Sequence, residues 1–508
     1  MRATAFGIDF GTTNSIVCAW GQNWLAEKRP VAFWDATSAG NRPHPSVVWY
    51  GPHGKPIVGR EARQNMGAMA NGMGHAFVAS VKRKLGNNKE VGLVGGDRKA
   101  AWEVAVEIFR HLKEHAESRE AMVRSGQKLT ECVVTIPVGY DGRQRNEIRR
   151  AMQKAGLKLQ TFLHEPFAAM VSHFYDPVQK LQGVSGKRTL VFDWGGGTLD
   201  VCLVEVSNDG SSVFELSHDG IADRAGDEFD QRMMSLITRK FLSRSPGGPT
   251  DLPIRGHALD RFRMAAEVSK IHLSSSLQHV VEVPSLFEAF GKLHDLEEAV
   301  TRAEFEEIAH DEIVAAEACV MRCLRAGGIT ENLVDQILLV GGTSNIPAVR
   351  SMMERIFGAR VVVAFEPDAA IARGAAIVAA EGWVPYNVND IGVVLADQSL
   401  FTILPSGAPL TASESKRYSF YCVDPRDGMA RLILGERPRK GDRALRYLGD
   451  PLTISTPNVI ENAGSLDRIN AQFVVTEDAT LRVTAQSAAT GQEAAAEIHE
   501  VCFGLRIK

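Results

Sequence analysis

The glycine triplet at residues 195–197 is the sequence feature that most constrains the fold. Apolar, β-branched runs flank it on both sides, a pattern that predicts a strand, a tight turn and a second strand. Glycine lets the backbone turn sharply and leaves the peptide N–H groups free for phosphate oxygens. Asp193 and Asp200 bracket the turn, and such carboxylates suit Mg²⁺ or its waters. A plain glycine hairpin with aspartates at its ends is the alternative for this stretch alone.

Two other stretches repeat parts of this plan. Near the start of the chain, a strand ending at Asp9 leads into small and hydroxyl residues at 11–14 and then a second strand. Late in the chain, an apolar strand ends in Gly341-Gly342-Thr343 before a predicted helix. Two Asp-bearing hairpins and a glycine pair predict two similar half-domains that close on one nucleotide. Each half would hold the phosphates from its own side.

Composition indicates a globular protein of two or more domains. The 508 residues are 44% hydrophobic, and the formal net charge of −4 gives no reason to expect nucleic acid or an acidic membrane as partner. Seven cysteines without paired spacing argue against a disulfide framework. No apolar run approaches the ~18 residues that span a bilayer. The chain enters a predicted strand directly, so a signal peptide is not expected and we predict a cytoplasmic protein.

The ordered set of motifs resembles the DnaK-type (70-kDa) heat-shock chaperones, whose ATPase domain has the actin-like fold. The resemblance starts with Gly-Ile-Asp-Phe-Gly-Thr-Thr-Asn-Ser at 7–15 and continues through motifs at 165–169, 226–230 and 265–275. It spans most of residues 5–380. It implies an α/β actin-like (ribonuclease H-like) ATPase domain of two lobes, followed by an antiparallel β-sandwich.

The domain boundaries follow from this resemblance and from a change in pattern. Residues 1–383 are assigned to the ATPase domain, 384–389 to a linker and 390–508 to the β-domain. Beyond the linker, alternating segments such as 399–404 and 480–485 predict antiparallel strands. Leu434-Gly435-Glu436-Arg437 and the last hairpin resemble the peptide-binding β-sandwich of the family.

The resemblance gives catalytic roles to two residues outside the glycine turns. Lys82 matches the lysine that reaches the phosphates, where a cation stabilises charge as the γ-phosphate departs. The alternative is a solvated basic face shared with Arg83 and Lys84. Glu165 stands just before a helix and would orient the attacking water or a Mg²⁺ ligand. Its alternative role is a favourable carboxylate at the helix N-terminus.

The resemblance implies a full set of site residues. The catalytic residues are Lys82, Glu165, Asp193 and Thr198; the metal residues are Asp9, Asp193 and Asp200; the nucleotide-binding residues are Gly11, Thr12, Thr13, Asn14, Gly195, Gly196, Gly197, Gly226, Glu267, Lys270, Ser274, Gly341, Gly342, Thr343 and Asp368. It also assigns Pro137 and Arg145 to a relay between the nucleotide state and the β-domain. As plain structure, Pro137 ends a strand, Arg145 faces water, and Glu267 and Lys270 form an exposed helix ion pair.

Three departures from the family bear on function. The sequence ends at Lys508, so we expect a short member of the family without the helical lid that traps clients. The linker region, from Asn387 to Val394, lacks the family's leucine run between acidic residues, so we expect it to dock less firmly and to couple the domains more weakly. Thr161 and His164 stand where the family has polar and basic residues that engage J-domain co-chaperones.

The sequence therefore predicts a slow ATPase that uses ATP or ADP with Mg²⁺ and acts as an ATP-dependent chaperone or chaperone-like regulator. Its expected partners are unfolded polypeptide or one dedicated protein, with a J-domain co-chaperone and a nucleotide exchange factor as further candidates. The alternative is an ATP-binding regulatory or scaffold module with little turnover. A small-molecule kinase or filament-forming relative of the actin-like fold is a third reading, which the appended β-domain disfavours.

Overall fold

The computed structural model describes residues 4–21, 29–36, 41–51, 55–65, 76–86, 89–92, 98–118, 126–222, 225–244, 252, 254, 257–289, 292–410, 415–423, 426–438, 444–457 and 466–507. The strands in chain order are β1 (Ala5–Phe10), β2 (Asn14–Trp20), β3 (Val31–Phe33), β4 (His44–Pro45), β5 (Val48–Tyr50), β6 (Ile57–Val58), β7 (Ala76–Val78), β8 (Glu90–Gly92), β9 (Arg98–Ala100), β10 (Glu131–Ile136), β11 (Lys158–His164), β12 (Arg188–Trp194), β13 (Thr198–Val206), β14 (Ser212–Ala222), β15 (Gln278–Ala289), β16 (Lys292–Thr301), β17 (Gln336–Val340), β18 (Val361–Val363), β19 (Val384–Asn387), β20 (Asp390–Val394), β21 (Leu400–Leu404), β22 (Lys416–Tyr421), β23 (Met429–Arg437), β24 (Arg446–Tyr447), β25 (Leu452–Ser455), β26 (Arg468–Val475), β27 (Leu481–Ser487), β28 (Glu493–Ile498) and β29 (Phe503–Arg506). The helices are α1 (Arg60–Asn65), α2 (Ala101–Ala116), α3 (Gly142–Lys154), α4 (Glu165–Phe174), α5 (Gly226–Ser243), α6 (His257–Leu273), α7 (Arg302–Ile308), α8 (His310–Ala326), α9 (Pro347–Phe357) and α10 (Pro367–Glu381).

Two mixed sheets share one strand order and form the cores of two lobes. The first runs β3-β2-β1-β10-β11, and the second contains β14-β13-β12-β17-β18. In each, the middle strand pairs antiparallel with the hairpin partner that follows it and parallel with the strand on its other side. The prediction of two similar half-domains is therefore confirmed at the level of strand order and direction.

The burial of the central strands explains why their sequences are apolar throughout. β10 is buried at five of six positions and β17 at four of five, since parallel strands are covered on both faces. Small residues let α10 lie close to the first sheet: a Cβ added at Gly7 would overlap the backbone of Ala372 and Ala376. One added at Gly374 would overlap the backbone of Ala168 in α4.

Strands β20 to β28 form two antiparallel sheets. One runs β21-β20-β23-β24 with β25 beside β23, and the other runs β22-β26-β27-β28. Along β26 and β27, buried residues alternate with more exposed ones, as expected when one face of a sheet packs on a core and the other meets solvent. The buried apolar residues of these sheets are contiguous with those of the first lobe.

The segment predicted as a linker, 384–389, contains regular structure. Strand β19 pairs antiparallel with β29, and β29 pairs in turn with β14 of the second lobe. The second-lobe sheet thus continues as β14-β29-β19. Asn387 is fully buried, and its side-chain amide donates to the carbonyls of Leu404 and Pro405. In the part of the chain that the structure describes, no helix is both long and apolar enough to cross a membrane.

Candidate functional site

The two glycine-containing turns face each other between the lobes. A Cβ added at Gly196 would lie 2.5 Å from Thr13 Oγ1, and one added at Gly197 would lie 2.9 Å from Thr12 Cγ2. Glycine is required at both positions because hydroxyl residues of the opposite turn occupy the space. Thr13 Oγ1 is buried and has no hydrogen-bond partner within the described ranges. A buried hydroxyl in this state fits a site for phosphate oxygens.

The first turn is held by a serine that the sequence analysis did not single out. Ser46 Oγ donates to Gly11 O at 2.9 Å, and Ser46 N donates to Thr13 O at 2.8 Å. Gly11 N donates to Ser15 Oγ at 3.2 Å. Asn14, which follows Thr13 in the turn, is the first residue of β2. Ser46 comes from a distant part of the sequence with no motif around it, so no local signal indicated its role.

The third glycine stretch meets the second turn from behind. Gly341 has φ +79°, and a Cβ there would lie 2.6 Å from Asp193 Oδ1. Thr343 Oγ1 donates to Gly195 O at 2.8 Å. Gly342 adjoins Asp368, because a Cβ added at Gly342 would lie 3.4 Å from Asp368 Oδ1. These contacts place residues 341–343 against the glycine turn at 195–197.

The N-terminus of α5 lies against the same turn. Gly226 N donates to Gly195 O at 3.2 Å, and a Cβ added at Gly226 would lie 3.0 Å from Gly196 Cα. Lys270 Nζ donates to Gly226 O at 2.9 Å and forms an ion pair with Asp230 Oδ1 at 2.6 Å. Asp227 N also donates to Gly196 O at 2.8 Å, so the first N–H groups of α5 hold the glycine turn in place.

The residues of α6 and its end that are predicted to bind the nucleotide do not all face this turn. Glu267 forms an ion pair with Arg63, so that α6 is joined to α1 across the cleft. Ser274 Oγ donates to Lys270 O at 3.2 Å, within its own helix end. An ion pair between Glu267 and Lys270 themselves, the alternative from sequence, is wrong because each has a different partner.

Three carboxylates line the base of the cleft. Burial raises the pKa of Asp9 to about 7, with Glu165 as the next cause, and raises the pKa of Asp200 to about 6. Burial, Glu165 and Asp200 together raise the pKa of Asp193 well above its ordinary value. Thr135 Oγ1 donates to Asp9 at 3.1 Å and Thr198 Oγ1 donates to Asp200 at 2.8 Å. Such a concentration of negative charge favours a cation.

Lys82 and Glu165 form a buried ion pair, with Lys82 Nζ 2.5 Å from Glu165 Oε1. Lys82 lies in a 3₁₀ turn over Val81–Lys84, and Tyr140 Oη donates to its carbonyl at 2.7 Å. Burial alone lowers the pKa of Lys82, but Glu165, Tyr140 and Asp9 outweigh it and raise the pKa overall. The alternative of a solvated face is wrong for Lys82, which is 5% exposed. Glu165 begins α4, so its position also suits a helix N-terminus.

Arg83 is a further site residue that the sequence analysis did not assign. Its guanidinium donates to Gly197 O, and a Cβ added at Gly197 would lie 2.8 Å from Arg83 Nη2. Consecutive residues of one 3₁₀ turn thus reach different parts of the site, with Lys82 at Glu165 and Arg83 at the glycine turn. The basic run at 82–84 was the available signal, although only the alternative of a solvated face used it and the catalytic role of Lys82 rested on the resemblance.

A comparison with known protein families bears on the function of this site. A family model described as Hsp70 protein matches residues 5–397 of the chain, which include both lobes, β19 and β20. The chain belongs to the Hsp70 family. Members of this family are ATPases and ATP-dependent chaperones that bind ATP or ADP with Mg²⁺.

The carboxylate oxygens in the cleft of this Hsp70-family chain are suited to hold a hydrated Mg²⁺ ion. No three His, Cys, Asp or Glu side chains of the described residues are arranged to hold a metal ion by themselves. Mg²⁺ keeps several waters and binds through one or two carboxylates together with substrate phosphates. Asp9, Asp193 and Asp200 offer oxygen donors whose mutual repulsion such an ion would relieve.

Of the two residues predicted to form a relay in this Hsp70-family chain, Arg145 lies at the contact between the first lobe and the β-domain. Arg145 is 2% exposed and donates to the carbonyls of Ala479 and His499 at 3.3 and 2.8 Å. The alternative that Arg145 faces water is therefore wrong. Burial lowers the pKa of Arg145 to about 10. Pro137 follows β10, and its carbonyl accepts from Tyr140 N at 3.2 Å.

Proposed function

We propose that this chain hydrolyses ATP slowly between its two lobes and uses the nucleotide state to control polypeptide or partner binding by residues 390–508. The observation that carries the proposal is the meeting of three carboxylates with the Lys82–Glu165 pair at two facing glycine turns. Negative charge for a metal, cations for phosphate and a carboxylate for water are the parts that phosphoryl transfer needs.

The proposed roles follow from the chemistry of each group. Thr12, Thr13 and the turn 195–197 bind phosphate oxygens, while Asp9, Asp193 and Asp200 hold Mg²⁺ and its waters. Lys82 stabilises charge on the departing γ-phosphate, Glu165 orients the attacking water, and Thr198 lies beside the γ-phosphate. The bound ion supplies charge neutralisation of the phosphates when it is present.

The nucleotide and relay residues complete the proposal. Residues of α6, α5 and 341–343 would bind the remainder of the nucleotide; they are Gly226, Glu267, Lys270, Ser274, Gly341, Gly342 and Thr343, with Asp368 beside them. Pro137 and Arg145 would connect the nucleotide state to the β-domain. We keep 1–383, 384–389 and 390–508 as the proposed ATPase domain, linker and binding domain.

The proposed partner is unfolded polypeptide or one dedicated protein, and a J-domain protein and an exchange factor are proposed as regulators. Support comes from partly exposed aromatic residues on the β-domain: Phe401 packs against Tyr418 at 5.2 Å and Phe420 at 5.5 Å between ring centroids. Aromatic side chains of this kind suit apolar segments of a polypeptide. The cysteines are all free, which supports a cytoplasmic location.

A second candidate is an ATP-binding regulatory module with little turnover. The observation that favours it is the pairing of β29 with both β14 and β19, which joins the end of the region 390–508 to the second lobe. In that case ATP would act as a structural ligand, and the β-domain would serve one dedicated partner.

Single-turnover hydrolysis of ATP with Mg²⁺, with and without excess unfolded polypeptide, tests these proposals. The wild type is compared with Lys82→Ala and with Lys84→Ala, a matched change in the same basic run. Hydrolysis that needs Lys82 and rises with polypeptide supports the chaperone proposal. Hydrolysis at the same rate with and without polypeptide supports a β-domain that binds one dedicated partner. Tight ATP binding without hydrolysis would leave only the second candidate.

A further inference from the structure

His164 and Phe503 form a buried aromatic stack between the ATPase part and strand β29. Their ring centroids are 4.0 Å apart with an interplanar angle of 27°. His164 is 4% exposed and Phe503 3% exposed. His164 is the last residue of β11 and Glu165 the first of α4, so no residue separates the stacked ring from the carboxylate that pairs with Lys82.

Strand β29 holds Phe503 in a fixed place. Gly504 admits no side chain, since a Cβ there would lie 2.6 Å from Val213 O and 2.6 Å from Tyr386 Cε1. The strand is therefore tightly inserted between β14 and β19. Arg145 lies 5.6 Å from the centre of the Phe503 ring, on the side of α3. Phe503 thus touches the first lobe from a strand that belongs to the sheet of the second.

The His164 imidazole takes part in this aromatic packing as a neutral ring. Its Nδ1 is buried and makes no hydrogen bond with any residue that the structure describes. Burial, followed by the charges of Arg145 and His218, lowers the pKa of His164 to about 3. The ring also packs at 5.2 Å from Phe167 of α4. Its contacts are therefore those of an aromatic side chain, wedged between Phe503 and the first turn of α4.

We propose that Phe503 positions Glu165 through His164, so that the placement of β29 sets the rate of ATP hydrolysis. This inference rests on the proposed function, in which Glu165 orients the attacking water. Phe503 and His164 are positioning residues, because neither lies at the phosphate turns. The coupling runs from the β-domain through β29 to the start of α4, in addition to any signal through Pro137 and Arg145.

The expected effect is on turnover and not on ATP binding. Loss of the stack frees the backbone at His164, and a misplacement of about 1 Å in a reacting group can cost up to 10²-fold in rate. We expect Phe503→Ala and His164→Ala each to lower kcat about tenfold while KM for ATP stays within about twofold. The double variant should be no worse than either single one, because the two rings act as a unit.

Variants that keep an aromatic ring distinguish stacking from general stability. His164→Phe should retain kcat, since the imidazole contributes no hydrogen bond through Nδ1. Val501→Ala is the matched control: it removes a buried side chain from the segment just before β29, outside the stack. Urea unfolding of each variant tests whether it is folded.

The outcomes separate this inference from the proposed function. Absence of Lys82-dependent hydrolysis in the wild type would remove the proposed function itself. With hydrolysis present, an unchanged or raised kcat in folded Phe503→Ala would overturn the positioning role. A loss in His164→Phe as large as that in His164→Ala would also overturn it, because a ring would then not suffice. Reduced kcat in both alanine variants with rescue by His164→Phe supports it.

Discussion

Lys82 Nζ lies 2.5 Å from Glu165 Oε1, and the two side chains are only 5% and 10% exposed. Each charge is therefore compensated chiefly by the other, since little water reaches either group. Removing one member of a buried pair leaves the other without compensation, a cost of about 3–5 kcal/mol. The same two groups are the proposed partners of the γ-phosphate and the attacking water.

Lys82→Ala should thus affect stability and activity together. We expect the free energy of unfolding to fall by about 3–5 kcal/mol at pH 7 and single-turnover hydrolysis to fall by at least about 10²-fold. Urea denaturation and phosphate release measure the two effects. Lys84→Ala should change neither by much, and equal losses in both variants would contradict a specific role for Lys82.

Asp193→Asn should stabilise the nucleotide-free protein while abolishing its activity. The raised pKa of Asp193 means that its charge opposes folding once the pH exceeds the ordinary value of 3.8. That cost grows as pH rises toward the folded pKa, so the gain from asparagine should be larger at pH 8 than at pH 5. At pH 8 we expect the free energy of unfolding to rise by at least about 1 kcal/mol.

Thermal unfolding at the two pH values measures this gain, and Mg²⁺-dependent hydrolysis should fall by about 10²-fold in the same variant. Asp209→Asn, a change at an exposed turn, serves as the control for removal of one carboxylate. A lower Tm for Asp193→Asn at pH 8 would contradict the interpretation that these buried carboxylates repel one another.

A cluster of three histidines gives the stability of the protein a second pH dependence, independent of the buried carboxylates. His44 Nδ1 lies 3.0 Å from His111 Nε2, and the ring of His115 is 4.4 Å from that of His44. The charged groups that face the cluster are Asp35 and its ion-pair partner Arg60. Burial, followed by the neighbouring histidines, lowers the pKa of His44 to about 3, and burial lowers that of His111 to about 4.

Acidification should destabilise the protein through this cluster. Because the folded pKa values lie below the ordinary 6.5, the stabilisation is complete above about pH 6.5 and is lost as pH falls toward 4. His111→Phe keeps an aromatic ring but removes one titrating group. Between pH 7 and 4.5, the wild type should lose about 2 kcal/mol more than this variant. His310→Gln, at an exposed helix start, should behave as the wild type; equal pH profiles for all three would contradict the prediction.

Arg63→Ala should accelerate nucleotide release. The Arg63–Glu267 ion pair joins α1 to α6 across the cleft, with the two side chains 27% and 24% exposed. A pair that water partly reaches contributes about 0.2–1 kcal/mol, so we expect ADP to dissociate about 1.4- to fivefold faster. Stopped-flow release of fluorescent ADP measures the rate. Arg60→Ala is the control, because Arg60 lies in the same helix but pairs with Asp35. An equal acceleration of ADP release in Arg60→Ala would contradict a specific role for the Arg63–Glu267 pair in closing the cleft.

The glycine turns could be predicted from sequence because their chemistry is local. Gly196 and Gly341 are flanked by strands and polar residues whose pattern is visible within a dozen positions. The matching strand order of the two mixed sheets follows from this repetition. The placement of Thr12 and Thr13 opposite the second turn also agrees with the predicted closure of two halves on one site.

Other parts of the site depend on contacts that no local pattern encodes. Ser46 reaches Gly11 only because β4 pairs with the start of β2. Arg83 contacts Gly197 across the cleft, although neither residue type indicates the other. The segment 384–389 has the Pro and Asn content of a connection, yet β29 supplies a pairing partner for it. Tertiary pairing overrides the local preference in that case.

The position of β29 between β14 and β19 also bears on how the chain reaches its native state. Ser212 pairs with Arg506, so the second-lobe sheet includes a strand made long after its other members. Contacts between such distant positions form slowly, because a long loop must close before they stabilise anything. During synthesis, the two lobes would assemble first with an open sheet edge beside β14. That edge can pair with other extended chains until β29 arrives, and the pairing of β29 with β14 then covers it.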